Sequence, residues 1–124
     1  MERFHDCPPV LREFLTYHDT IKGQSPKTIE EYYLDLRMFL RFMVLVKNEM
    51  PYQTDLDSIS IKDVDLKFID SITVADIFDF LSYLANDRAN HESGYAATGI
   101  GTAARARKLS AIKSFYKYLT VRTK

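Results

Sequence analysis

Arg107, Lys113 and Lys117 fall along one side of a single helix near the end of the chain, with Ser110 and Ser114 between them. A guanidinium can make two parallel hydrogen bonds to O6 and N7 of guanine, whereas an ammonium acts on a phosphate as a point charge. Small neighbours such as Ser110, Ala111 and Ser114 allow the helix backbone to come close to a partner. A helical face of this kind, about 30 Å long, fits the major groove of duplex DNA. Arg107 is then the candidate for a base edge, and Lys113 and Lys117 the candidates for phosphates. Positive charge at a helix C-terminus also complements the macrodipole, by a few tenths to about 1 kcal/mol per charge. That ordinary explanation does not cover Arg105 and Lys108, which lie in the first two turns, where positive charge is mildly unfavourable.

A second cluster opens an earlier helix. Ser25, Lys27 and Thr28 put a hydroxyl, an amine and unpaired N–H groups together, an arrangement that suits a phosphate. Capping alone accounts for Ser25 but has no use for Lys27.

The charge distribution sharpens both readings. The chain has 17 basic and 17 acidic residues, yet Thr102–Lys124 carries seven basic side chains and no Asp or Glu. The preceding residues therefore hold the other 10 basic groups and all 17 acidic ones, a division of −7 against +7. One element, and not the whole surface, is suited to a polyanion.

Other chemistries find little support. Cys7 is the only cysteine, so it has no intrachain disulfide partner and no CxxC mate; it reads as a small thiol near a frayed terminus. His5, His18 and His91 lack metal-ligand spacing, and neither a metal nor a cofactor is expected. No apolar run approaches the ~20 residues that span a bilayer, and Met1–Pro9 does not resemble a signal peptide, so the expected location is cytoplasmic and no membrane partner is expected.

These side chains need helices to position them. Pro8 and Pro9 open a first helix over about 9–22, with Val10, Phe14, Tyr17 and Ile21 on one stripe and Gly23 as its stop. Ser25 and Pro26 start a second over about 26–47, in which Ile29, Tyr32, Tyr33, Leu36, Phe39, Leu40 and Met43 recur at three and four residues. Glu30, Arg37 and Arg41 fall on its opposite, solvated side. Pro51 breaks the pattern, and Ile59, Ile61, Val64, Leu66 and Phe68 alternate as a strand would. With no sheet partner available, 48–71 is read as a long connection containing one helical turn near Leu66–Asp70. Thr73 and Asp76 form a capping box for a third long helix, about 74–87. A mobile loop over 88–101 then leads to the last helix, about 102–121, whose Leu109, Ile112, Phe115, Tyr116 and Leu119 converge on one side. The expected fold is all-α: a compact bundle of four main helices with a short fifth, in one domain over residues 1–124.

Three segments carry a resemblance. Ser25-Pro26-Lys27-Thr28-Ile29-Glu30-Glu31-Tyr32-Tyr33-Leu34-Asp35-Leu36-Arg37-Met38-Phe39 resembles the S-x-x-T-x-x-x-Y-x-x-D-L-x-x-F opening of the SAM-like core-binding domain of tyrosine recombinases, the phage integrase and Xer-like enzymes. Arg107-Lys108-Leu109-Ser110-Ala111-Ile112-Lys113-Ser114-Phe115-Tyr116-Lys117-Tyr118-Leu119 is similar to that family's final helix, and Ile72–Leu81 to its third. The likeness runs from Pro9 to Arg122. It implies a domain that clamps one side of duplex DNA, with its second and last helices at the major groove. Carried onto this sequence, it puts Lys27, Thr28 and Glu31 of the second helix near DNA, together with Arg107, Ser110, Ala111 and Ser114 of the last. The family often has threonine early in that helix, where this chain has Ala104.

In the family, cleavage is attack by a tyrosine on a DNA phosphate, assisted by Arg, Lys and His residues of a second, catalytic domain. That domain is expected to be absent here. Tyr116 and Tyr118 fit the core pattern and have no Arg and His constellation around them, so no catalytic residue is expected. The resemblance implies a monomeric N-terminal DNA-binding unit of a recombinase that works as a tetramer. Two rivals are a DNA-binding regulator that never cuts, and a protein-interaction module that uses exposed aromatics of the second helix.

Overall fold

Proline sets where the first two helices begin. In the computed structural model, which describes residues 6–86 and 101–122, α1 spans Pro9–Thr16, with Pro8 extended just before it. It runs on as a wider π turn over Tyr17–Ile21 and stops at Gly23, whose φ of 67° is a left-handed conformation that glycine adopts without a Cβ clash. Ser25 caps α2, Pro26–Lys47, by accepting the Thr28 N–H at 3.2 Å.

The stop of α2 precedes Pro51. Glu49 takes φ 55°, while the Glu49 N–H bonds to the Val46 carbonyl at 3.0 Å and the Met50 N–H to Leu45 at 2.9 Å. This pair of bonds closes the helix end around a left-handed residue, here an unusual glutamate.

The connection that follows contains a 3₁₀ turn, Leu56–Ser58, which the sequence did not announce, and α3, Leu66–Asp70, where the helical turn was expected. Leu56, Ile59, Ile61 and Val64 are all buried. Their alternation comes from an apolar strap laid against the bundle. Among the described residues every regular element is helical.

α4 spans Val74–Asn86 and opens on the expected capping box: the Asp76 carboxylate accepts the Thr73 N–H at 2.9 Å, and the Thr73 hydroxyl accepts the Asp76 N–H at 3.1 Å. The loop expected over 88–101 lies outside the described residues except for Gly101. α5 covers Thr102–Arg122, one residue beyond the end expected for the last helix.

The core forms where α2 meets α1, α4 and α5. Phe14 of α1 packs edge-on against Phe115 of α5 at 5.3 Å, and Phe39 of α2 against Phe80 of α4 at 5.5 Å. Leu36, Leu40, Ile112 and Phe115 are almost wholly buried, so α5 seats its apolar stripe on α2. At its far end Glu13 of α1 accepts from the Tyr118 hydroxyl at 2.6 Å and from Arg122 Nη2 at 2.9 Å, which ties the last turn of α5 to α1.

Two expectations fail inside this core. Arg41, assigned to the solvated side of α2, is buried: its Nε donates to the Ile59 carbonyl at 3.0 Å, and its Nη2 and Nη1 pair with Asp6 and Asp57, each at 3.2 Å. The guanidinium thus fastens the strap to α2, supplying a donor to the carbonyl of buried Ile59 and a counter-charge to buried Asp6. Cys7, assigned to a frayed end, is also buried, and burial pushes its thiol up to about 11.

Candidate nucleic-acid interface

At the start of α2 the two hydroxyls are partly occupied with each other. Ser25 accepts the Thr28 N–H and donates to Thr28 Oγ1 at 3.0 Å. Ser25 and Lys27 are exposed, and Thr28 and Glu31 half-buried. The capping role of Ser25 is direct, and Lys27 projects from the same turn.

On α5, Arg107, Ser110, Lys113 and Lys117 are exposed and Ser114 is half-buried. The 100° rotation per residue that turns Ile112, Phe115 and Leu119 inward leaves these five on the outer arc. The outward face expected of α5 is therefore present as geometry.

Two members of the expected set are not on it. Ala111 is buried at the packing contact. Lys108 is 6% exposed, and its ammonium lies 2.7 Å from Asp35 of α2, which is 3% exposed. The reason is register: Lys108 stands four residues before Ile112 and seven before Phe115, on the apolar stripe. Asp35 stands three after Tyr32 and four before Phe39, on the stripe of α2. An acid and a base placed on facing apolar stripes must find each other, because either alone would be a buried unpaired charge. The sequence held that signal in the spacing. Arg105 is half-buried, and its guanidinium donates to Thr102 Oγ1 at 3.3 Å.

Arg107 shares the same acid. Its Nε and Nη2 donate to Asp35 Oδ2 and Oδ1 at 3.2 and 3.1 Å, while 55% of its side-chain surface stays exposed. Those hydrogen bonds, with the field of Asp35 and a smaller contribution from Glu31, hold its pKa above the usual arginine value. Asp35 therefore joins one outward and one inward cation of α5 to α2.

A residue missed by the sequence reading borders this face. Lys22, in the turn after α1, lines a cleft of about 450 Å³ with Gln24, Tyr32, Ser114 and Lys117. His18 lies there too, its Nδ1 2.7 Å from Gln24 Oε1, and burial holds it below the ordinary histidine value against the pull of that hydrogen bond. Lys22 comes three residues before Ser25, so proximity in sequence was the available signal.

The tyrosines of α5 serve packing. Tyr116 donates to the Ile69 carbonyl at 3.0 Å, and burial raises its pKa, with further help from Asp70 and Asp76. The aromatics of α2 also turn inward: Tyr33, Phe39 and Phe42 are buried and Tyr32 is half-buried. This removes the exposed aromatic face on which the protein-interaction reading depended. Among the described residues no group of three potential metal ligands occurs, and no helix is long and apolar enough to cross a membrane.

Residues 11–123 match the family described as phage integrase, N-terminal SAM-like domain. The chain is 38% identical over 112 residues to a tyrosine recombinase XerC of Caldanaerobacter subterraneus subsp. tengcongensis, covering 90% of this chain and 29% of that protein. It is 33% identical over 111 residues to a tyrosine recombinase XerC of Myxococcus xanthus, covering 90% of this chain and 27% of the relative. The chain thus spans less than a third of the length of these relatives. No solved structure matches it.

Proposed function

This chain belongs to the phage integrase N-terminal SAM-like domain family, and from that premise we propose that it grips duplex DNA through α2 and α5 for a site-specific tyrosine recombinase. The observation that carries the reading is the outer arc of α5: Arg107, Lys113 and Lys117 stand outward among Ser110 and Ser114 on a helix with no acidic residue. Lys27, Ser25 and Thr28 at the start of α2 supply a second point of attachment, and Lys22 a third. Lys108 and Ala111 act from beneath, by seating α5.

Residues 1–124 work as one DNA-binding unit, a monomer in isolation, within a cytoplasmic protein that assembles as a tetramer on DNA. Strand cleavage and rejoining, in integration or in recombination, belong to the part of such a recombinase that this chain does not span. The non-cutting regulator makes the same use of α5 and differs only there. An Arg, His-x-x-Arg and Tyr set encoded beyond Lys124 selects the recombinase; its absence selects the regulator.

Duplex binding measured against salt tests the grip. With four to six phosphates neutralised, log K falls against log salt with a slope of about −4 to −5. The Arg107→Ala, Lys113→Ala, Lys117→Ala triple variant loses most of that binding. Unchanged binding in the triple variant removes α5 from the interface, and no binding at low salt removes the proposal.

A further inference from the structure

The way Asp35 divides its two oxygens constrains what Arg107 can recognise. A guanidinium carries five N–H donors in a planar fork. Asp35 takes the Nε edge, through Nε and Nη2 at 3.2 and 3.1 Å. What remains includes the end-on pair, one N–H from each Nη, which has the spacing of guanine O6 and N7. The acid that imposes this orientation is itself fixed, because Asp35 is buried and Lys108 Nζ holds its Oδ1 at 2.7 Å. Arg107 reaches outward from a braced base.

Charge points the same way. Asp35 and Glu31 lie one turn apart on α2, and both act on Arg107. With Lys108 the four groups sum to zero. A phosphate gains little from a locally neutral group, whereas the edge of a base needs donors and not net charge. Lys113 and Lys117 are exposed and have no such carboxylate partner among the described contacts.

Resting on the DNA-binding reading above, we propose that Asp35, braced by Lys108, is a positioning residue that holds Arg107 as a reader of a guanine edge. The phosphate grip is left to Lys22, Lys27, Lys113 and Lys117. Asp35 and Lys108 touch no DNA and yet set specificity.

Selection of duplexes from a randomised pool by the 124-residue chain tests this. The native chain enriches guanine at one position, and replacing that guanine weakens binding roughly 5- to 150-fold. Arg107→Ala loses the preference and leaves the salt slope unchanged. The double variant Asp35→Leu/Lys108→Met exchanges the buried pair for apolar side chains of similar size, a replacement that buried pairs often tolerate. It retains binding to arbitrary duplex and the native salt slope but loses the guanine preference at that position. Asp35→Asn, which keeps one acceptor oxygen, gives an intermediate preference and is the comparison should the double variant fail to fold.

A native guanine preference in the folded double variant, or in the Asp35→Asn chain where the double variant does not fold, overturns the proposal. So does a salt slope that falls by about one in Arg107→Ala, the mark of a phosphate contact. Absence of any duplex binding by the native chain removes the DNA-binding reading and this inference together, whereas normal binding without an Arg107-dependent guanine removes the inference alone.

Discussion

At the scale of single residues, the buried charges decide most. Arg41 and Asp6 are both almost fully enclosed, so deleting one strands the other, and Arg41→Ala is expected to cost about 3–5 kcal/mol in urea unfolding. Lys113→Ala, on the exposed arc, should change stability by less than about 0.5 kcal/mol. The same network sets an acid limit. Burial by itself would raise the Asp6 carboxyl, but the Tyr33 hydroxyl at 2.6 Å and Arg41 outweigh it and hold it below its usual value. The unfolded chain therefore takes up that proton first: the stabilisation is present above about pH 4 and is lost as pH falls through the lower folded value. His18 adds an earlier decline, beginning near its unfolded pKa of about 6.5, since burial disfavours its protonation in the fold. Urea midpoints between pH 7.5 and 3 should show both limbs. Asp6→Asn should shrink the lower limb and leave the upper one; an unaltered lower limb contradicts the assignment to Asp6.

At the scale of elements, caps and stripes were legible and their exceptions were not. Ser25-Pro26 fixed the start of α2, and Thr73 with Asp76 the start of α4, because each cap is a local bond between residues three apart. Thr73→Ala should lower stability by about 1 kcal/mol. Asp76→Ala should cost more, since Asp76 also holds Lys47 of α2 at 3.1 Å; equal losses in thermal unfolding would show that this tie contributes nothing. The outer arc of α5 was equally readable from rotation. What escaped were residues whose partners lie far away in sequence. Arg41 looked solvated because Asp6 and the Ile59 carbonyl, 35 and 18 residues distant, cannot be paired with it from periodicity. Lys108, 73 residues from Asp35, was counted among the DNA-facing cations by residue type although its own helical register placed it inside. The strand-like alternation of Ile59, Ile61 and Val64, set aside at the sequence level for want of a sheet partner, records burial of a strap and not pairing of a strand.

At the scale of the whole molecule, a chain with no net charge presents one basic helix face against an otherwise acidic composition. That asymmetry favours a single orientation on a polyanion, since the acidic remainder resists approach from other sides. It also predicts modest affinity: a unit that holds one side of a duplex gives up the effective concentration that linked domains provide. Joining it to the remaining length of a recombinase should therefore tighten duplex binding by about 100-fold or more without changing the slope that α5 contributes. The central claim is that α2 and α5 form one surface for duplex DNA, and amide chemical shifts of the 124-residue chain during titration with a short duplex at low salt test it most directly. The account predicts shifts concentrated at Ser25–Glu31 and along Arg107–Lys117, fading as salt is raised, with Val74 and Phe78 of α4 unmoved. Shifts centred on α4, or none at all, would contradict it.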